Sequence, residues 1–121
     1  LSAAKFSLFV GDALDVPLSD ESISAIISVY FIDIVPVRPF LREVRRLLKP
    51  GGLFLNFGPL RYASKDVNNM LSGEELLSLF SISGFENLAD TTVTNTQFAC
   101  PTNITSLLSH NFVFTARKCA S

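Results

Sequence analysis

Apolar residues fall in short blocks along the chain, and their spacing switches between the two-residue period of strands and the 3.6-residue period of helices. Residues 5–10, with Phe6, Leu8, Phe9 and Val10, read as a short strand stopped by Gly11-Asp12. Pro17 bars a helix through the polar loop that follows to Ser22. Residues 24–30 are apolar almost throughout and rich in β-branched side chains, as expected of a strand covered on both faces in the middle of a parallel sheet.

From Pro36 the period changes. Phe40, Val44, Leu47 and Leu48 fall at helical spacing, with Arg42, Glu43, Arg45 and Arg46 largely on the other side, so the spacing predicts an amphipathic helix. Lys49-Pro50-Gly51-Gly52 is expected to end it, with a cation near the C-terminal dipole and glycines free to take positive φ. A strand over residues 53–57 follows at once and closes at Gly58-Pro59. Ser72 with Glu75 three residues on is a capping box, opening a helix whose buried face is assigned to Leu76, Leu77, Leu79, Phe80 and Ile82. Ser83-Gly84 ends it, and two strands are expected around residues 85–93 and 111–116. The polar stretch 94–109 between them is read as a surface loop with at most one helical turn. The whole reads as one continuous α/β alternation without repeats or linkers.

At 121 residues this is one domain at most, and 48% apolar residues with 11 Phe exceed what so small a domain needs for its own interior. Some of that surface is expected to meet other protein. Ten Lys and Arg against 11 Asp and Glu give a net charge of -1, which argues against nucleic acid as a partner. No run of about 18 apolar residues is present to span a membrane. Cys100 and Cys119 lack metal-ligand spacing, and a reducing cytoplasm is the expected compartment. The start at Leu1 rather than Met is read as a cut edge. His110, the one histidine, has no triad or metal partner nearby in sequence and is left out of the site, and the arginines around Glu43 are read as a solvated helix face.

Two motifs narrow the reading. Gly11-Asp12-Ala13-Leu14-Asp15-Val16-Pro17 after a strand, and Arg42-Glu43-Val44-Arg45-Arg46-Leu47-Leu48-Lys49-Pro50-Gly51-Gly52 before another, together resemble class I S-adenosylmethionine-dependent methyltransferases from the third strand onward. Phe31-Ile32-Asp33 and Asn56-Phe57-Gly58-Pro59-Leu60-Arg61-Tyr62 resemble the N2227-like group, to which carnosine N-methyltransferase belongs. The implied fold is the C-terminal part of a Rossmann-like α/β sheet, holding the third to seventh strands and ending in an antiparallel pair. A different doubly wound domain, such as a dehydrogenase fragment, is the alternative. A last strand inserted between its predecessor and the fifth strand is the methyltransferase trait.

The resemblance implies a site. Asp12 takes the place that hydrogen-bonds the cofactor's adenine amino group, with the Ala13 backbone N–H and Tyr30 also on the cofactor. Read from the residues alone, Asp12 at a strand's carboxyl end fits either ligand contact or a turn cap. Asp33 is the catalytic candidate with Tyr62: in the resembled group an aspartate here orients the acceptor nitrogen, and its charge favours the sulfonium donor and the cationic transition state. A place near the N-cap of the following helix is the plainer reading of Asp33. Asn56, Gly58 and Pro59 form the substrate wall in the same resemblance, and an ordinary strand-ending turn otherwise. Two departures stand out: Ala63 occupies the place of a histidine in carnosine methyltransferases, and Leu107, Leu108 and Ser109 that of paired tyrosines.

No glycine-rich G-x-G-x-x-G loop exists in these residues, so the chain alone is expected to bind S-adenosylmethionine weakly or not at all. In the resembled sheet two absent strands separate the third from the fourth. Residues 5–10 are therefore expected to be re-paired beside the fourth strand, disordered, or supplied to a second copy, and a homodimer through the exposed sheet edge follows. The functional expectation is methyl transfer to a small-molecule acceptor, nitrogen by the resemblance. The competing expectation is a non-catalytic binding or dimerisation module.

Overall fold

The computed structural model describes residues 5–62, 67, 70–97 and 107–120. Strand β1 (Ile23–Val29) leads through a turn to helix α1 (Val37–Leu47), and strand β2 (Leu48–Gly58) follows directly. Helix α2 (Gly73–Ile82) and the long strands β3 (Phe85–Gln97) and β4 (Leu107–Lys118) complete the order. The four strands form one sheet in the order β1-β2-β4-β3, with β1 and β2 parallel and the other two pairings antiparallel. The last strand thus lies between its predecessor and β2, the insertion that separates the methyltransferase expectation from the dehydrogenase one.

Both helices pack on one face of this sheet. Phe54 on β2 is fully buried and touches Phe40 of α1, Phe80 of α2 and Phe114 of β4 at ring-centroid distances of 6.1, 5.3 and 5.8 Å. Phe80 in turn meets Phe85 and Phe114 in edge-on contacts. These rings explain part of the phenylalanine excess, because aromatic pairs of this geometry fill a thin two-layer core. The opposite face is open: Ile27 and Val29 are 69% and 56% exposed. Among the described residues no helix is long and apolar enough to cross a membrane.

Five expectations need correction. Residues 24–30, expected in the middle of the sheet with both faces covered, supply the edge strand β1 with one face open, because among the described residues no strand pairs with its outer side and no layer covers Ile27 and Val29. Residues 5–10 form no strand; Phe6, Leu8, Phe9 and Val10 are exposed, because strand composition without a neighbouring strand leaves every ladder hydrogen bond unmade. The stretch 94–109 is not a loop throughout, since β3 runs to Gln97 and β4 starts at Leu107, paired from Thr94↔His110 to Gln97↔Leu107. The helix before Lys49 ends at Leu47, and β2 begins at Leu48, ahead of the glycines. Gly51 sits inside that strand at φ +80°, where the register shifts between the Ile23 and Ala25 pairings. Ile82, assigned to the buried face of its helix, is 81% exposed. The cap was read correctly: Ser72 Oγ accepts from Glu75 N at 3.2 Å.

Candidate functional site

The turn after β1 and the turn after β2 meet at the carboxyl ends of the two parallel strands. Tyr30 holds φ +53° and donates its N–H to the Phe57 carbonyl at 2.8 Å. Gly58 lies against it at φ +155°, and a Cβ there would come within 2.9 Å of Tyr30 N. Only glycine lets the two backbones approach so closely. Pro59 follows, buried, and turns the chain so that the Arg61 N–H donates to Asp33 Oδ2 at 3.0 Å. Asp33 is 9% exposed. It does not cap α1, whose N-cap position is Pro36 with no side-chain hydrogen bond.

Tyr62, at φ +38°, closes this group. Its hydroxyl is buried without a hydrogen-bond partner among the described residues, and burial pushes its pKa up to about 12. The Leu71 backbone pulls the other way, and the charges of Asp33 and Glu75 add smaller contributions to the rise. The phenol therefore stays protonated through neutral pH and can donate. Absorbance titration at about 295 nm should show one tyrosine ionising near pH 12, a component that Tyr62→Phe removes. Because the folded pKa lies above the ordinary value, the associated stability is full below about pH 10 and declines as pH rises from there towards 12. A tyrosine component near 10 that vanishes in Tyr62→Phe would contradict this burial.

Asn56 is 1% exposed on β2, and its Nδ2 donates to the Phe112 carbonyl at 3.0 Å. Among the described residues its Oδ1 has no partner, nor has the Oγ of Ser28 on β1, a residue not among those expected from the sequence. Each such buried orphan costs about 1–3 kcal/mol if nothing meets it.

Asp12 and Ala13 lie apart from this group, before β1. The Asp12 side chain accepts from Leu14 N at 2.9 Å, and Asp15 N bonds back to the Asp12 carbonyl, so the residue closes a tight turn and its side chain is exposed. Ala13 lines an apolar cleft of about 620 Å³ along the outer edge of β1, together with Ser28, Val29 and Phe31. Asp33, Asn56, Gly58 and Tyr62 do not line this cleft; Ala13 is the one expected site residue that does. Ala63 and Cys100 lie outside the described residues. His110 lines a separate depression with Glu74, Asp90 and Phe112, its Nδ1 3.2 Å from Thr94 Oγ1. Among the described residues no group of three His, Cys, Asp or Glu side chains is placed to hold a metal.

The turn that carries Asp12 and Ala13 is held by residues read from sequence as a solvated face. Glu43 is buried; its carboxylate accepts from the Val16 N–H and from Arg46, and Arg46 also donates to the carbonyls of Val16 and Leu18 and to Asp20. The Arg46 hydrogen bond, with help from Val16 N–H and against the effect of burial, holds the Glu43 carboxyl below the usual carboxylate range. Its stabilisation is thus present above the ordinary carboxylate pKa and is lost as pH falls through the lowered one. Glu43→Gln should cost about 1.5–3 kcal/mol in denaturant unfolding at neutral pH and little in strong acid. Equal losses at both pH values would contradict the clamp.

The chain superimposes on a SAM-dependent methyltransferase from Methanosarcina mazei with a TM-score of 0.70, covering 93% of this chain and 67% of that one at 18% identity. The fold is that of class I, Rossmann-like S-adenosylmethionine-dependent methyltransferases. Within that class the chain belongs to the carnosine N-methyltransferase family, whose model matches residues 2–120. It is 34% identical over 70 residues to the carnosine N-methyltransferase unmet of Drosophila melanogaster, covering 57% of this chain and 15% of that protein. To the carnosine N-methyltransferase of Dictyostelium discoideum it is 34% identical over 87 residues, covering 69% of this chain and 19% of that protein. The chain therefore spans under a fifth of the length of these relatives.

Proposed function

We propose that this chain forms the acceptor-side part of an S-adenosylmethionine-dependent methyltransferase that acts on a nitrogen of a small molecule. The observation that carries the reading is the junction of Asp33 with the turn after β2, where Arg61 N donates to Asp33 Oδ2 and a protonated Tyr62 stands beside it. A carboxylate there favours both a sulfonium methyl donor and the positive charge that builds on an attacked amine. The phenol and the Asn56 to Pro59 wall would orient the acceptor, so that methyl transfer proceeds by in-line displacement governed by positioning. Family membership and the inserted last strand support the same reading.

In this reading Asp12, Ala13 and Tyr30 would meet the adenine side of S-adenosylmethionine, which supplies the methyl group when bound. For Ala13 the fit is spatial, since it lines a cleft with Val29 and Phe31 at the end of β1. For Asp12 it is partial: one carboxylate oxygen is engaged by Leu14 N. The residues that would cradle the cofactor's amino-acid end have no counterpart in this sequence, so the chain by itself would bind the cofactor weakly or not at all. The test is transfer of labelled methyl from S-adenosylmethionine to a panel of small amines and imidazoles by the full-length protein. Label in an amine product supports the reading, and none in any acceptor with cofactor bound overturns it.

A second reading, a dimerisation module, is favoured by one observation. β1 ends the sheet with Ile27 and Val29 exposed beside an apolar cleft, and an unpaired apolar edge invites another strand. Sedimentation of the 121-residue chain at micromolar concentration should then show a dimer; a monomer throughout excludes this reading.

A further inference from the structure

All five N–H groups of the Arg46 guanidinium donate: Nε to Glu43 Oε1, Nη1 to the Leu18 carbonyl and Asp20 Oδ1 at 2.8 Å each, and Nη2 to the Val16 carbonyl and Glu43 Oε2 at 2.9 and 3.0 Å. None is left over to meet a ligand. Glu43, buried on the same helix, accepts the Val16 N–H as well, so Val16 is gripped at both of its backbone groups. The N–H groups of Glu21 and Ser22 donate to the Arg46 and Leu47 carbonyls and carry the attachment on to the start of β1. An (i, i+3) ion pair on a helix surface would need none of these contacts to the loop.

The grip fixes a turn that is not held from upstream, since among the described residues 5–11 join no strand. That turn is closed within itself, by Asp15 N on the Asp12 carbonyl and Leu14 N on Asp12 Oδ1. Its place in the molecule is therefore set from its far end, at Val16. Ala13, Val16 and Leu18 line the same cleft as Phe40, Val44 and Leu47 of α1, so any shift of Val16 carries Ala13 with it.

We propose that Glu43 and Arg46 are positioning residues for cofactor binding, which hold the Asp12-Ala13 turn in place before the adenine side of S-adenosylmethionine arrives. The inference rests on the cofactor reading given above. Neither residue touches the cofactor; both act through Val16. A turn that is in place only part of the time weakens apparent affinity by that fraction. The effect falls on affinity and spares the chemistry at Asp33.

Two conservative variants of the full-length protein test it. Arg46→Lys keeps the charge, but an ammonium cannot span the acceptors that the planar fork reaches, and Glu43→Gln sets an amide N–H against an Arg46 N–H. Calorimetry with S-adenosylhomocysteine should show dissociation constants raised about tenfold or more in both, with circular dichroism checking that they are folded. In methyl-transfer assays KM for S-adenosylmethionine should rise in step, while kcat at saturation stays within about threefold of the parent. Folded variants with parental affinity overturn the positioning role and leave the cofactor reading standing. A parent that takes up no S-adenosylhomocysteine removes both. Should neither variant fold, hydrogen exchange in the unmodified protein decides: the Val16 amide should be protected before ligand is added, and S-adenosylhomocysteine should slow the Ala13 amide. A Val16 amide that exchanges freely without ligand, or an Ala13 amide indifferent to it, overturns the proposal.

Discussion

Asp33→Asn in the full-length protein is expected to lower the turnover of methyl transfer by about 100- to 1,000-fold while leaving the fold nearly as stable as before. The substitution keeps an oxygen to accept from Arg61 N at the present 3.0 Å, so the junction of the two turns survives. What disappears is the negative charge at the sheet end, where in the proposed reaction an attacked nitrogen would become positive. Steady-state kinetics with unfolding curves separate the two effects. Turnover within about threefold of the parent would place Asp33 in the fold and outside the chemistry.

The second large effect belongs to the core. Phe54→Ala should cost about 3–5 kcal/mol, a large share of the roughly 5–15 kcal/mol that holds a domain of ordinary stability. Phe54 is fully buried and joins α1, α2 and β4 through Phe40, Phe80 and Phe114, and with helices on one face only no second layer can close around the cavity. Denaturant unfolding monitored by circular dichroism measures it. A loss below about 1 kcal/mol would mean that the rings are not the joint between helices and sheet.

These two residues mark what was legible in the sequence. The apolar run around Ile26, the helical spacing of Phe40, Val44 and Leu47, and the Ser72 cap are local signals, and the elements stand where they point. Residues 5–10 carry an equally good local signal, but a strand is a relation between two segments, and the described residues offer that segment no partner. The polar stretch after Val93 failed in the opposite direction. Thr94, Asn95 and Thr96 look like loop residues by polarity, yet β-branched threonines suit an exposed ladder, and backbone pairing with β4 carries them to Gln97. Ile82 was misassigned by arithmetic that the sequence did allow, since two residues past Phe80 turn about 200° around a helix, away from the face of Leu76 and Phe80.

The same division runs through the site. Asp33 stood out because a carboxylate at the end of an apolar strand needs a partner, but that the partner is the Arg61 backbone, 28 residues on, is a tertiary fact. Glu43 and Arg46 looked like an ordinary surface pair because the turn they hold lies 26 to 30 residues earlier. Ser28 sits inside an apolar run and becomes conspicuous only when its register partner proves to be Asn56. Its cue was present, for a lone hydroxyl in a buried strand has to be satisfied by something.

The central claim is that this sheet is part of a S-adenosylmethionine-dependent enzyme, and calorimetric titration of the full-length protein with S-adenosylhomocysteine tests it most directly. Saturable heat with one molecule bound per chain, weakened by Asp12→Ala, is the predicted result. No heat from folded full-length protein would contradict the claim.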